Sequence, residues 1–290
     1  MAAERSGNPD GRAVPLLSSD AGGIRKFKKI VSDAYIKEGR RFPWREGADP
    51  WGVLVSEFML QQTQTQRVES YWPLWMQRWP TPESLDRASL EDALRAWSGL
   101  GYNRRALHLK RCARIIAADF GGKVPALPEA LARLPGIGAY SAGAIACFAY
   151  NHPSAFIETN IRAVMLHFFF SGDRPVRDSE ILPLLERALD RKNPREWHWA
   201  LMDYGAALKK RGPNPGRLSA HHIRQSGFRG SFRQLRGDLL RALVTQGPAR
   251  AEELRARLES PGEKADFYRA LDALRRESMV AEEAGVYRIK

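Results

Sequence analysis

Apolar residues recur at helical spacing along most of this chain, and strand-like alternation is nearly absent until its C-terminal end. Ile24, Phe27, Ile30, Val31 and Ala34 share one face of a helix expected over residues 24–38. Phe42-Pro43-Trp44 breaks it, and a second helix begins near Pro50 with Val53, Leu54, Phe58 and Leu60. Pro80-Thr81-Pro82 is a turn, and Thr81 with Glu83 and Ser84 starts another helix. Short helices follow at about 89–97, 103–119, 127–133, 139–149, 159–170 and 178–190, joined by Gly- and Pro-punctuated connections. The pattern predicts an all-α domain over residues 24–225, behind a disordered leader over 1–23. Residues 212–230 turn Pro-, Gly- and Arg-rich and mark a boundary. Three helical segments, 232–245, 249–258 and 264–277, then precede two short strands around a turn over 279–289. That order suggests a winged-helix-like domain over 226–290, a module that binds either DNA or a protein partner.

Charge narrows the partner. Lys and Arg number 46 against 33 Asp and Glu, a net +13, which draws a polyanion, nucleic acid before others. A generic basic protein has the same balance, so the distribution matters more. Basic residues gather at Arg40, Arg41 and Arg45; at Arg104, Arg105, Lys110 and Arg111; at Lys209, Lys210 and Arg211; and at Arg224, Arg229, Arg233 and Arg236. Two cysteines, Cys112 and Cys147, are too few for a disulfide framework or a four-thiolate zinc or iron–sulfur site. Among six histidines only His221 and His222 are adjacent, so no metal site is expected. The longest apolar run, residues 142–150, is about half what a membrane span needs, and the N-terminus lacks the apolar core of a signal peptide. An intracellular protein without membrane association is expected.

The sharpest local signal is Leu134-Pro135-Gly136-Ile137-Gly138-Ala139-Tyr140-Ser141-Ala142. Two glycines around one apolar residue before a helix make a tight hairpin whose amides suit a phosphate. Alone, it is also an ordinary corner between helices. With Phe42-Pro43-Trp44-Arg45, Ser56-Glu57-Phe58-Met59-Leu60-Gln61-Gln62-Thr63-Gln64, Gly99-Leu100-Gly101-Tyr102 and Leu201-Met202-Asp203-Tyr204-Gly205-Ala206, it resembles the helix-hairpin-helix DNA glycosylase superfamily. The nearest branch resembles the MutY adenine glycosylases and endonuclease III. The match in order and spacing covers about residues 24–210.

The resemblance implies a two-lobed helical fold, with a six-helix lobe over about 51–165 and a second lobe from 24–50 and 166–225. Such a fold grips duplex DNA and extrudes one mispaired or damaged base, because the glycosidic bond is out of reach in the stack. The bond breaks through an oxocarbenium-like transition state, served by one carboxyl that protonates the base and another that stabilises the sugar cation. Glu57 matches the acid. Its helical neighbours Val53, Leu54 and Leu60 are apolar, which withdraws a carboxyl from water and favours its neutral form; a Glu reaching water from the edge of an apolar stripe is the structural alternative. Glu158 matches the second carboxylate, where the family carries Asp; an ordinary helix pair with Arg162 is the other reading. Asn160 matches an Asn that orients that carboxylate, or serves the helix start. Tyr140 takes the place of the lysine that forms a Schiff base in bifunctional relatives, which implies hydrolysis without strand cleavage. Its hydroxyl either bonds a carboxylate or phosphate, or its ring packs at the hairpin.

Trp44, Arg45 and Leu60 match the base pocket, although Trp44 also suits a core and Arg45 a surface charge. Gln61, Gln62, Thr63, Tyr102, Asn103, Pro135, Gly136, Ile137, Gly138 and Ser141 match DNA contacts, Gln62 filling the gap left by the flipped base. Three features depart from the MutY pattern. Asn103 replaces a second tyrosine, the wedge beside 8-oxoguanine. Lys209 stands where the first cluster cysteine falls. The C-terminal segment is too short for the Nudix-like domain that reads 8-oxoguanine. The lobe is expected to close without a cluster, through Trp197, Trp199, Leu201, Met202 and Tyr204 on the N-terminal helix. No cofactor is expected; a monovalent cation at the hairpin is compatible with the resemblance. The expectation is a monomeric, monofunctional glycosylase acting on adenine opposite guanine or 8-oxoguanine. Its alternatives are a mismatch uracil or thymine glycosylase and a catalytically weak lesion-binding protein.

Overall fold

The computed structural model describes residues 16–47, 49–172, 174–221 and 227–290. The expected leader lies outside the described residues as far as residue 15, and so does the expected boundary at 225/226. The rest of the leader is ordered differently from expectation: the Asp20 carboxylate accepts the Gly23 N–H at 2.8 Å and caps a helix that already includes Ala21.

That helix is α1 (Ala21–Glu38), followed by α2 (Pro50–Leu60), α3 (Thr65–Arg78), α4 (Pro82–Arg87) and α5 (Leu90–Trp97). Then come α6 (Arg104–Asp119), α7 (Pro128–Leu131), α8 (Ala139–Tyr150), α9 (Thr159–Phe169), α10 (Asp178–Ala188) and α11 (Pro194–Arg211). A 3-10 turn at Pro215–Leu218 precedes α12 (Phe232–Gln246), β1 (Ala249–Arg250), α13 (Ala251–Ala256), α14 (Lys264–Arg276), β2 (Val280–Glu283) and β3 (Val286–Ile289). The starts follow their capping chemistry: Asp49 caps α2 ahead of Pro50, and Thr81 and Ser84 exchange bonds at α4. Helices α3 and α11 escape the sequence reading. The first carries Pro73 inside and has no side-chain cap; the second buries His198 and Asp203 among its apolar residues, which blurs the stripe.

The chain divides into two compact units. One comprises the described residues of Met1–Phe42, Ala126–Glu129 and Gly138–Arg224; the other those of Pro43–Pro125, Ala130–Ile137 and Gln225–Lys290. This differs from the expected lobes: α8 and α9 group with α1 and α11, because α9 packs along α11. In that first unit the Phe27 ring meets Phe168, Phe169 and Trp197 edge-on at 5.1, 5.1 and 5.7 Å. Leu201 and Tyr204 are buried there as expected. Trp199 instead stacks on Phe148 of α8 at 6.0 Å, and Met202 is only half-buried.

The second unit holds α2 at its centre, buried from Trp51 through Met59. It also includes the C-terminal segment, in which α12 packs on α5 and α14. The expected terminal hairpin forms, with Ala284 and Gly285 both at positive φ, the geometry of a tight two-residue turn. A strand not anticipated, β1, adds to it and sets the sheet order β1-β3-β2.

Candidate active site

In the second unit, Glu57 sits on the buried helix α2 and is 7% exposed. Trp44 is buried too, its ring edge-on to Trp72 at 6.3 Å, while Arg45 and Leu60 are half-buried. Just past α2, Gln61 is half-buried and Gln62 is exposed with φ +56. Tyr102, at the end of the Gly99–Tyr102 loop, has φ +47. Left-handed backbone at two non-glycine residues has to be held by its surroundings.

Arg105 holds it. This buried guanidinium donates to the Phe58 and Met59 carbonyls at 2.8 Å each, to Thr63 Oγ1 at 2.9 Å, and to the Leu100 and Gly101 carbonyls at 3.0 and 2.9 Å. One side chain thus ties the end of α2, the 61–63 loop and the 99–102 loop together. Burial lowers its pKa to about 10. The sequence reading grouped Arg105 in a basic cluster and missed this role. Lys110 is likewise spent internally, its Nζ donating to the Leu85, Asp86 and Ala88 carbonyls at 3.1, 2.9 and 2.5 Å. Asn103 is the half-buried residue before α6 and makes no side-chain cap.

The glycine hairpin forms as expected. Leu134 and Ile137 anchor it, the Ile137 N–H donating to the Leu134 carbonyl at 3.2 Å, while Gly136 and Gly138 are exposed and Pro135 half-buried. Gly136 has φ +79, and a Cβ there would lie 2.4 Å from His108 Nδ1, so only glycine fits. Cys112 Sγ donates to the Pro135 carbonyl at 3.2 Å, and burial pushes that thiol well up. Helix α8 starts after Gly138 with Ser141 buried.

In the first unit, Tyr140 is 37% exposed and its ring is edge-on to Phe156 at 5.7 Å. Glu158 is the N-cap of α9: its Oε1 accepts the backbone N–H groups of Asn160 and Ile161 at 2.6 and 2.7 Å. Asn160 Nδ2 donates to the second carboxylate oxygen at 3.3 Å. Lys209 Nζ donates to Asn160 Oδ1 at 2.8 Å, so Lys209, Asn160 and Glu158 form one chain. Desolvation raises the Glu158 pKa, opposed by those two N–H donors and then by Lys209 and Arg162. Arg162 gives both guanidinium bonds to Asp178, at 2.7 Å each, rather than the i+4 pair with Glu158. Gly205 lets α11 approach closely; a Cβ there would lie 2.3 Å from the Asn160 carbonyl oxygen.

These residues do not fit an iron–sulfur cluster. Cys112 and Cys147, the chain's two cysteines, are buried in different units, and the first cluster position is a lysine bonded to Asn160. Among the described residues no group of three or more His, Cys, Asp or Glu side chains is placed to hold a metal ion.

The family described as HhH-GPD superfamily base excision DNA repair protein matches residues 55–188. An adenine DNA glycosylase of Mycobacterium tuberculosis (strain CDC 1551 / Oshkosh) is 44% identical over 178 residues, 60% of this chain; the chain spans 59% of that relative's length. An adenine DNA glycosylase of Mycolicibacterium smegmatis is 38% identical over 266 residues, 84% of this chain and 89% of that one. A solved thermostable thymine-DNA glycosylase superposes with a TM-score of 0.56 at 26% identity, over 64% of this chain and 88% of its own.

Proposed function

Because the chain belongs to the HhH-GPD superfamily of base excision DNA repair proteins, we propose that it is a monofunctional DNA glycosylase that extrudes a mispaired adenine and hydrolyses its N-glycosidic bond. The partner is duplex DNA carrying adenine opposite guanine or 8-oxoguanine, met in the cytoplasm or at a bacterial nucleoid. The observation that carries the chemistry is Glu158, desolvated yet held by two backbone N–H groups at the start of α9. The preference for adenine rests on the two relatives, each described as an adenine DNA glycosylase.

In this mechanism Glu57, withdrawn from water on α2, gives its proton to the departing base as the C1′–N bond breaks and the electron pair leaves with the base. Glu158 faces the sugar cation with its negative charge. Water then adds to C1′ and returns a proton to Glu57. Tyr140 has no amine to attack C1′, so no imine forms and the strand stays intact. Neither an iron–sulfur cluster nor another cofactor takes part, in keeping with Lys209 at the first cluster position. The terminal helices and hairpin are read as winged-helix-like.

A second reading, uracil or thymine excision from mismatches, is favoured by the likeness to the thymine-DNA glycosylase and by Asn103 after Tyr102. The test is a panel of duplexes carrying A, U, T or hypoxanthine opposite G or 8-oxoguanine, with and without hot alkali. Alkali-dependent cleavage of the adenine duplexes is expected. Nicking without alkali would refute hydrolysis without lyase action, cleavage only of U or T duplexes would replace adenine, and binding without any cleavage would end the glycosylase reading.

A further inference from the structure

The C-terminal segment has no role in the chemistry above, yet it delivers a side chain to a loop that faces DNA in the proposed reading. Arg233, on the first turn of α12, donates from Nη1 to the Tyr102 hydroxyl at 2.6 Å. Its guanidinium also lies 5.2 Å from the Tyr102 ring centroid, and that of Arg105 lies 5.7 Å from the same ring. Two cations therefore grip one aromatic ring whose backbone is in the left-handed region. Helix α12 is anchored to supply this contact: Ser231 caps it, Phe228 lies 5.5 Å from the Arg233 guanidinium, and Arg236 pairs with Glu277 at 2.6 Å.

We propose that Arg233 is a specificity-determining positioning residue, through which the C-terminal segment fixes Tyr102 and with it Asn103, the residue at the position beside the base opposite the excised one. The proposal rests on the glycosylase reading for what the Tyr102 loop meets. Its physical content is separate: Arg233 bonds the Tyr102 hydroxyl and lies against its ring, so it acts through the placement of that residue and not as a phosphate anchor. A residue beside that base discriminates between purines only when its backbone is held in place. The segment is thereby a working part of the DNA-facing unit, and not a separate protein-docking module.

The test uses the full chain with Arg233→Ala, Arg233→Lys, Tyr102→Phe and the Arg233→Ala/Tyr102→Phe double variant. Arg187→Ala, an exposed arginine on α10, serves as the charge-matched control. Affinity is measured by anisotropy on undamaged, A·G and A·8-oxoguanine duplexes, together with single-turnover excision. Arg233→Ala is expected to narrow the preference for 8-oxoguanine over guanine by about tenfold, the scale of one cation–π contact with its hydrogen bond. The double variant should lose no more than the larger single loss, and the salt dependence of binding should stay that of the wild type. A uniform loss on all duplexes with a salt slope reduced by about one would make Arg233 a phosphate contact and overturn the proposal. Discrimination matching Arg187→Ala would overturn it as well. If Arg233→Ala fails to fold, Tyr102→Phe and Arg233→Lys carry the same comparison. Wild-type binding that discriminates opposite bases without excising any would remove the glycosylase reading and leave this inference standing.

Discussion

At the scale of single residues, two departures from the family pattern meet in one hydrogen-bonded chain. Glu158 is a methylene longer than the expected Asp, and its carboxylate still reaches the Asn160 and Ile161 amides at 2.6 and 2.7 Å. Lys209, in place of a cysteine, supports Asn160 from the other side at 2.8 Å. Glu158→Gln keeps the length and removes the charge, so excision is expected to fall by roughly a hundredfold or more with duplex affinity retained; single-turnover assays alongside anisotropy check it, and full activity would remove Glu158 from the mechanism. The Lys209 ammonium lowers the Glu158 pKa against desolvation, with Arg162 acting in the same direction. Deleting it in Lys209→Met therefore raises that pKa further. The acid limb of the pH–rate profile, where Glu158 takes up its proton, should move to higher pH, while a merely structural lysine would lower the rate without moving the limb.

At the scale of elements, the 61–63 and 99–102 loops are set by what lies behind them. Arg105 satisfies four backbone carbonyls and the Thr63 hydroxyl with one planar fork. A lysine keeps the charge but has a single nitrogen and cannot reproduce that fork. Arg105→Lys should therefore speed amide exchange at residues 61–63 and 99–103 and weaken lesion binding with an unchanged salt slope. Exchange rates equal to the wild type would show that the loops hold their shape without it. The same logic explains why some members of the arginine and lysine clusters are spent inside the protein. Arg105 and Lys110 bind carbonyls, and Arg40 binds Asp203 through its backbone N–H and its Nε, at 2.8 Å each.

For the whole molecule, stability carries a pH signature from one buried group. His198, on α11 of the first unit, is fully buried, stacked on Phe156 at 4.1 Å and beside Cys147 of α8, with Nδ1 bonded to the Pro194 carbonyl at 2.8 Å. Burial lowers its pKa to about 4 from 6.5. The unfolded chain therefore takes up a proton that the folded chain refuses as pH falls from 6.5 towards 4. Over that window the fold should lose stability on the order of 3 kcal/mol from this residue. Denaturant unfolding from pH 7 to 4, compared with His198→Gln, checks it: the variant should lose most of that slope, and an equal slope would place the dependence elsewhere.

Most helices, the start of α4, the glycine hairpin and the order of the family motifs were legible in the sequence because each depends on neighbours a few positions apart. Pro50 at the start of α2, Thr81 before Ser84 and Gly136 in its turn are local facts of this kind. Tertiary structure alone decided which cations remain on the surface, how α8 and α9 group, and where the C-terminal segment docks. Arg233 and Tyr102 are 131 positions apart, and Lys209 and Asn160 are 49 apart. A guanidinium bonded to a carbonyl, a phenol or a phosphate reads the same in sequence, and only the folded chain brings one of those acceptors within reach.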